Sequence, residues 1–367
     1  MALRVVPPIM QFAFALMCFL LLGGCNEKIV DPPIKNPREY TWTIDTLAYP
    51  GSFQTNMRDI WASSPTDVYV VGHNFLNRGQ MYHYDGKTWR EILQIHPDER
   101  GNAAIGLAAI FGFGPTDIWV VGQRIYVNPN RPPNYLDSSL VIHYDGRQWR
   151  EQRIEGGRYL KAVWGNSPVS LWAGGWTKYI YRYDGALWQR DSLPITVQTD
   201  GFFQVEAFEG TASGGVFAIG NTHHNSTATT IHYFFQRREN RWIVVDSFFV
   251  APGRIESKWG RVDLWSSPSA TLYSCGKGVH RWTGSGWEIL FDHPNILSRI
   301  AGTSDSNIFV VGHLGTVLHF NGRDWYQYGQ FADPNAVLWG IWTDGKETII
   351  VGHTADYPQR TLILRGK

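Results

Sequence analysis

The clearest order in this chain is a recurring alternation of short apolar runs and polar turns. Six segments of 14 residues align without gaps: DIWASSPTDVYVVG (59–72), AIFGFGPTDIWVVG (109–122), AVWGNSPVSLWAGG (162–175), AFEGTASGGVFAIG (207–220), DLWSSPSATLYSCG (263–276) and RIAGTSDSNIFVVG (299–312). A seventh, GIWTDGKETIIVG (340–352), is one residue shorter. Each reads as an apolar strand, a polar turn, and a β-branched or aromatic strand that ends in glycine. Ser64, Pro65, Thr66 and Asp67 show the turn chemistry: proline pre-sets φ, and aspartate bonds nearby backbone. These two strands are called A and B.

A second hairpin follows each segment. It reads MYHYDGKTWREI (81–92), VIHYDGRQWREQ (141–152), IYRYDGALWQRD (180–191), VHRWTGSGWEIL (279–290) and VLHFNGRDWYQY (317–328), with a longer version, IHYFFQRRENRWIVVD (231–246), in the fourth repeat. The Asp-Gly or Asn-Gly pair supplies the positive φ of a tight hairpin, and the tryptophan after it starts the next strand. These are strands C and D. Four antiparallel strands repeated seven times predict an all-β fold, a seven-bladed β-propeller of four-stranded antiparallel blades. The blade tryptophans and aliphatic B strands would fill the space between adjacent sheets. The ends agree with closure. The seventh repeat stops at TLILRGK (361–367), without a strand D, and REYTWTIDTL (38–47) has the strand D pattern, Thr41-Trp42 matching Thr88-Trp89. An N-terminal strand completing the last blade would close the ring and remove its open edges.

The segment ahead of the repeats has another character. Arg4 gives a positive start, and the apolar stretch from Ile9 to Leu22 is too short to span a bilayer comfortably but suits the core of a secretory signal. The stretch ends Leu22-Gly23-Gly24-Cys25, which resembles the lipobox of bacterial lipoproteins. That resemblance implies cleavage before Cys25 and acylation of Cys25, with residues 1–24 as signal peptide. Residues 25–37 would then be the lipidated cysteine and a flexible, proline-rich tether, and 38–367 the propeller. Asn26 rather than Asp after the cysteine points, by enteric-type sorting, to the outer membrane, on its periplasmic or cell-surface side. Of the three cysteines, Cys18 would leave with the signal and Cys25 carry lipid, so Cys275 has no disulfide partner and is expected to be buried and inert. A formal net charge of +1 argues against a nucleic-acid partner.

The W-G-S-S-P-x-D-V-W-x-V-G and H-Y-D-G-x-x-W patterns resemble a large group of bacterial propeller lipoproteins and, more distantly, photosystem II assembly-factor-like propellers and Asp-box propellers of the sialidase type. The sialidase Asp box has a residue between Asp and Gly that is missing here, and no arginine triad is recognisable, so sialidase chemistry does not carry over.

Strand direction places the A–B and C–D turns on one face and the B–C and D–A connections on the other. The first set is nearly constant in length; the second varies, so binding groups are expected there. Candidates on that face are Tyr126, Asn130, Arg131 and Tyr135 from the long second-repeat loop, then Trp176, Tyr179, Phe202, Phe203, His223, His224 and Tyr357. Aromatics with Arg and Asn suit protein recognition or glycan stacking. His73, His313 and His353 each follow a strand-B glycine in repeats one, six and seven, which a closed ring makes neighbours. They could form a histidine-lined patch, but equivalent positions on adjacent blades are too far apart for one metal ion. His83, His143, His232 and His319 track the repeat before the C–D turn and are expected in structural hydrogen bonds; Asp85, Asp145 and Asp184 are turn residues. His223 and His224 are expected in a solvated loop. No catalytic constellation, metal site or cofactor motif stands out. The leading function is a non-enzymatic, membrane-anchored binding or scaffold protein, a monomer engaging a protein or polysaccharide. The alternatives are a glycan-active hydrolase or lyase with its site at the channel, to which Arg124, Arg131, Arg158, Arg182 and Glu206 could contribute, and an envelope assembly factor.

Overall fold

The computed structural model describes residues 35–367 apart from 50, 77–78, 96–102, 128–134, 153 and 255–256. Signal, lipobox and Cys25 therefore lie outside the described residues, as do Asn130 and Arg131. The regular structure is β-strand, with two short 3-10 turns at Pro37–Glu39 and Gly329–Phe331. Thr55–Ser64, Asp67–Asn74, Gly79–Tyr84 and Trp89–Ile95 pair antiparallel in chain order as one four-stranded sheet. Residues 103–152, 160–192 and 201–250 repeat the arrangement. A six-stranded set covers 263–327. Within it, Leu272–Trp282 pairs through its first half with Asp263–Ser266 and through its second with the start of Trp287–Ser304. The end of Trp287–Ser304 pairs with Asn307–Gly312.

The last sheet joins Ala336–Thr343, Thr348–Thr354 and Thr361–Gly366 to Trp42–Leu47. Trp42 lies opposite Gly366 and Leu47 opposite Thr361, so the N-terminal strand is the outer strand of the last repeat. It begins at Trp42 rather than at 38 because Pro37–Glu39 turns first. Trp42 packs edge-on against Tyr328 and Phe331, with centroids at 5.4 and 5.0 Å, and the Tyr40 hydroxyl donates to the Gly345 carbonyl at 3.0 Å.

The A strands stand side by side around a central channel, each touching the next, and Ala336–Thr343 returns to Thr55–Ser64. Apolar layers fill the spaces between neighbouring sheets: Tyr69, Val71 and Trp61 of the first sheet, for example, meet Ile105, Ile110 and Ile118 of the second. The tryptophan of strand A crosses to the next sheet. A Cβ on Gly112 would lie 2.5 Å from the Trp61 ring, and Trp164 stands in the same way against Gly210. The expected polar positions are also accounted for. His83 bonds Asp67 at 2.7 Å, His143 bonds Asp117 at 2.8 Å and His319 bonds Asn307 at 3.0 Å, tying the start of strand B to the end of strand C. His232 differs: it lies opposite Asn221, nearer the start of its strand, where its ring stacks on Phe248 and its Nε2 faces Arg261 at 3.3 Å, while Gln236, opposite Phe217, holds the place that His83 holds opposite Tyr69. Asp85, Asp145 and Asp184 each accept two backbone N–H groups within their turns. Cys275 is fully buried, and burial pushes its thiol well above the ordinary range.

Candidate functional site

One irregularity recurs in six A strands. Arg58, Ala108, Lys161, Glu206, Ser298 and Trp339 are each an extra, unpaired residue opposite the glycine that ends strand B. These are β-bulges, which turn a side chain out of the pleat and bend the strand. The bend presses the A backbone onto the glycine. A Cβ on Gly72 would lie 2.0 Å from the Asn56 carbonyl oxygen, and one on Gly175 1.9 Å from that of Tyr159. The repeat's terminal glycine is thus the sequence mark of the bulge. The residues that follow those glycines, His73, Gln123, Trp176, Asn221, His313 and His353, lie next to the bulges, toward the variable connections.

The histidine patch forms. Trp339 links two of its members: its indole N–H donates to His353 Nδ1 at 3.0 Å, and its ring meets His313 edge-on at 5.6 Å. Arg58 lies over the Trp339 ring at 5.7 Å. Burial drives His73 and His353 down to about 4, with Arg58 adding to both, and burial lowers His313 as well. All three are neutral at pH 7, and no cluster of metal-binding groups occurs among the described residues.

Deeper in the channel, a cavity of about 270 Å³ is lined by residues of all seven A segments. Its charges are paired. Arg299 donates to Asp59 at 2.5 Å and to Asp263 at 3.4 Å. Asp59 also accepts from the Ile110 amide of the second sheet at 3.0 Å, and Asp263 from the Ile300 amide of the sixth repeat at 3.1 Å. Burial raises both carboxyls, and Arg299 opposes the rise. Gly340 holds the equivalent place in the seventh repeat, between Arg299 and Asp59 in the order of the ring. Glu206 pairs with Lys161 and accepts from Asn221 at 2.9 Å. Glu209 replaces the strand-A tryptophan of other repeats, and burial pushes its carboxyl up strongly. Sequence reasoning named Glu206 alone among these, since the pairs join residues up to 240 positions apart.

The loop face carries two exposed aromatic groups. Trp176, Tyr179 and Phe202, expected there, line one pocket of about 290 Å³ with Arg158 and Lys178 at its edge. Tyr159 braces Trp176 edge-on at 5.3 Å, and Arg190 lies over Tyr179 at 4.9 Å. Phe203 is buried beneath. Tyr357 stacks on Phe53 at 5.3 Å, and Phe53 meets Phe75 at 6.2 Å; the three are 74%, 52% and 56% exposed. Phe53 and Phe75 escaped the sequence reading because each is a lone aromatic in a loop. Tyr126 joins neither group; its hydroxyl lies 3.5 Å from Arg124. Tyr135 begins strand Tyr135–Tyr144, and its side chain is outside the description. The solvated-loop expectation for His223 and His224 is corrected. Both lie in strand Val216–His224, whose alternation turns His223 toward Phe202 and Thr230 and buries His224.

No protein-family model matches the chain, and no curated protein matches it in sequence. Solved structures do match in shape. A structure of YCF48 bound to D1 peptide superposes with a TM-score of 0.60 at 14% identity, covering 90% of this chain and 95% of that one. YCF48 from Cyanidioschyzon merolae gives 0.53 at 13%, covering 88% and 98%. The WD40 β-propeller domain of Doa1 gives 0.52 at 12%, covering 89% and 97%. The fold is a β-propeller. At these identities the likeness concerns fold alone, and the propeller's chemistry rests on its own residues.

Proposed function

We propose that this chain is a lipid-anchored, seven-bladed propeller that serves as a non-enzymatic binding platform for a protein partner. Reading Leu272–Trp282 as strands B and C of the fifth repeat, and Trp287–Ser304 as strand D of the fifth running into strand A of the sixth, divides the six-stranded set into two blades and brings the count to seven. Cys25 is the anchor, residues 26–37 are the tether, and the outer membrane is the destination. The observation that carries the binding reading is the gathering of exposed aromatics on the variable face. Phe53, Phe75 and Tyr357 form one group, and Trp176, Tyr179 and Phe202 another. Exposed aromatic groups of this kind mark interaction surfaces. A propeller of similar shape, YCF48, has been solved with a peptide bound.

The glycan-active alternative draws on the channel carboxylates. Asp59 and Asp263 are held by Arg299 and by backbone amides, and Glu206 by Lys161 and Asn221, so these groups read as structural. Site-specific photo-crosslinking in the envelope of the producing cell tests the proposal. A benzophenone side chain at Phe75 or Tyr357 should give a discrete protein adduct, whereas one at Lys87, in a C–D turn on the opposite face, should give none. Equal labelling from both faces, or none from either, overturns it.

A further inference from the structure

Arg58 differs from the other charged groups of the channel. Its guanidinium has an indole face behind it, and its Nε is enclosed without a hydrogen-bond partner. Among the described residues no carboxylate pairs with it. Asp59, the next residue, is held by Arg299 and by the amides of Ile60 and Ile110. Glu206, in the equivalent bulge of the fourth repeat, is held by Lys161 and Asn221. His73 and His353 beside it are uncharged at neutral pH and supply no counter-charge. A cavity of about 250 Å³ opens against Arg58, with His73, Gln123, Tyr159 and Trp176 in its walls. Trp176 also belongs to the neighbouring aromatic pocket, so the two spaces share a wall.

A half-buried guanidinium with an unmet donor is costly to leave unpaired, and its planar fork matches a carboxylate. Phosphate calls for more positive charge than this cavity offers, since Lys161 is engaged by Glu206. We propose that Arg58 receives a carboxylate of a bound polypeptide, either an acidic side chain or a chain terminus, while the adjoining aromatic pocket takes a neighbouring apolar side chain. The assignment rests on the protein-binding reading and names its anchor point.

The test uses the full chain in detergent and three peptides, with binding followed by calorimetry. N-acetyl-Ala-Phe-Ala-Glu-amide carries a side-chain carboxylate, N-acetyl-Ala-Phe-Ala-Ala with a free terminus carries a terminal one, and N-acetyl-Ala-Phe-Ala-Ala-amide carries neither. At least one acidic peptide should bind ten times more tightly than the neutral one, and which one does so identifies the carboxylate. Arg58→Gln should erase that preference, and Arg58→Lys, which keeps the charge but not the fork, should keep a reduced one. Near-ultraviolet circular dichroism checks that the variants are folded, and the wild-type comparison stands without them. Equal binding of all three peptides, or an undiminished preference in Arg58→Gln, overturns the assignment. The photo-crosslink separates the two ideas: adducts from Phe75 at full yield in Arg58→Gln overturn the Arg58 assignment and leave the protein-binding reading in place. Absence of adducts in the wild-type chain overturns that reading, and the peptides still decide the role of Arg58.

Discussion

Replacing Arg299 with methionine tests the idea that the channel is fastened by charge. In the folded chain Arg299 bridges Asp59 and Asp263, whose side chains are 8% and 6% exposed. Methionine keeps much of the volume and removes the cation. Taking one partner from a buried ion pair costs about 3–5 kcal/mol, because the remaining charge is left uncompensated. Two carboxylates are stranded here, and each keeps a backbone N–H from the neighbouring repeat as partial compensation. The loss should therefore fall near the middle of that range, about 4 kcal/mol at pH 7. The pH dependence has a definite sign. Burial already raises both carboxyls, and losing Arg299 removes the opposing influence. A folded-state pKa above the unfolded value means the folded protein binds protons more tightly, so stability is gained as pH falls through the raised value. Urea unfolding, followed by fluorescence of the 17 tryptophans, should show a large gap from wild type at pH 7 that narrows at pH 5. Converting Asp59 and Asp263 to asparagine in the same variant should restore most of the loss at pH 7. A deficit under about 1 kcal/mol at pH 7, or a gap that widens on acidification, would refute the reasoning.

Three further outcomes follow from the same structure. Gly72→Ala drives a Cβ to 2.0 Å from the Asn56 carbonyl, a backbone atom that cannot swing aside; it should cost about 3 kcal/mol in urea unfolding, whereas Gly114→Ala, with open space at that position, should cost far less. His353, lowered from 6.5 to about 4, binds fewer protons folded than unfolded in that window, so wild-type stability should fall by about 2 kcal/mol at this site between pH 7 and pH 5; His353→Gln should lose correspondingly less over the same interval. Cys25→Ser should abolish incorporation of labelled palmitate and shift the protein from the membrane to the soluble fraction, and unchanged labelling would remove the anchor from the account.

The sequence disclosed the parts of this molecule that repeat. Strand order, the Asp-Gly turns, the structural role of His83 and His143 (though not their partners, Asp67 and Asp117), and the pairing of Trp42–Leu47 with Thr361–Gly366 were legible, because each recurs or fills a gap in a recurring pattern. The aromatic pocket was partly legible: Trp176, Tyr179 and Phe202 stand in variable connections that the fold brings together. The bulges were hidden for the opposite reason. Six A strands carry the extra residue in the same place, so aligning the repeats shows no insertion, and the only trace is the glycine opposite. Arg58 consequently carried no mark in the sequence, although its bulge brings it over the ring of Trp339, a residue of the last repeat. The link from Arg299 to Asp59 was beyond reach for a related reason: it joins repeats six and one past Gly340, and its length depends on the ring's being shut. His224 shows the limit of loop reasoning, since two added residues of strand changed its environment from solvent to core.

Everything said of the channel mouth depends on the first and last repeats lying side by side, which the strand Trp42–Leu47 secures. Amide hydrogen exchange on the intact protein tests this most directly. The backbone amides of 42–47 that pair with 361–366 should exchange as slowly as those of 361–366 themselves, and Trp42→Ala should speed both together. Rapid, unprotected exchange through 42–47, with 361–366 unaffected by Trp42→Ala, would contradict the closed ring.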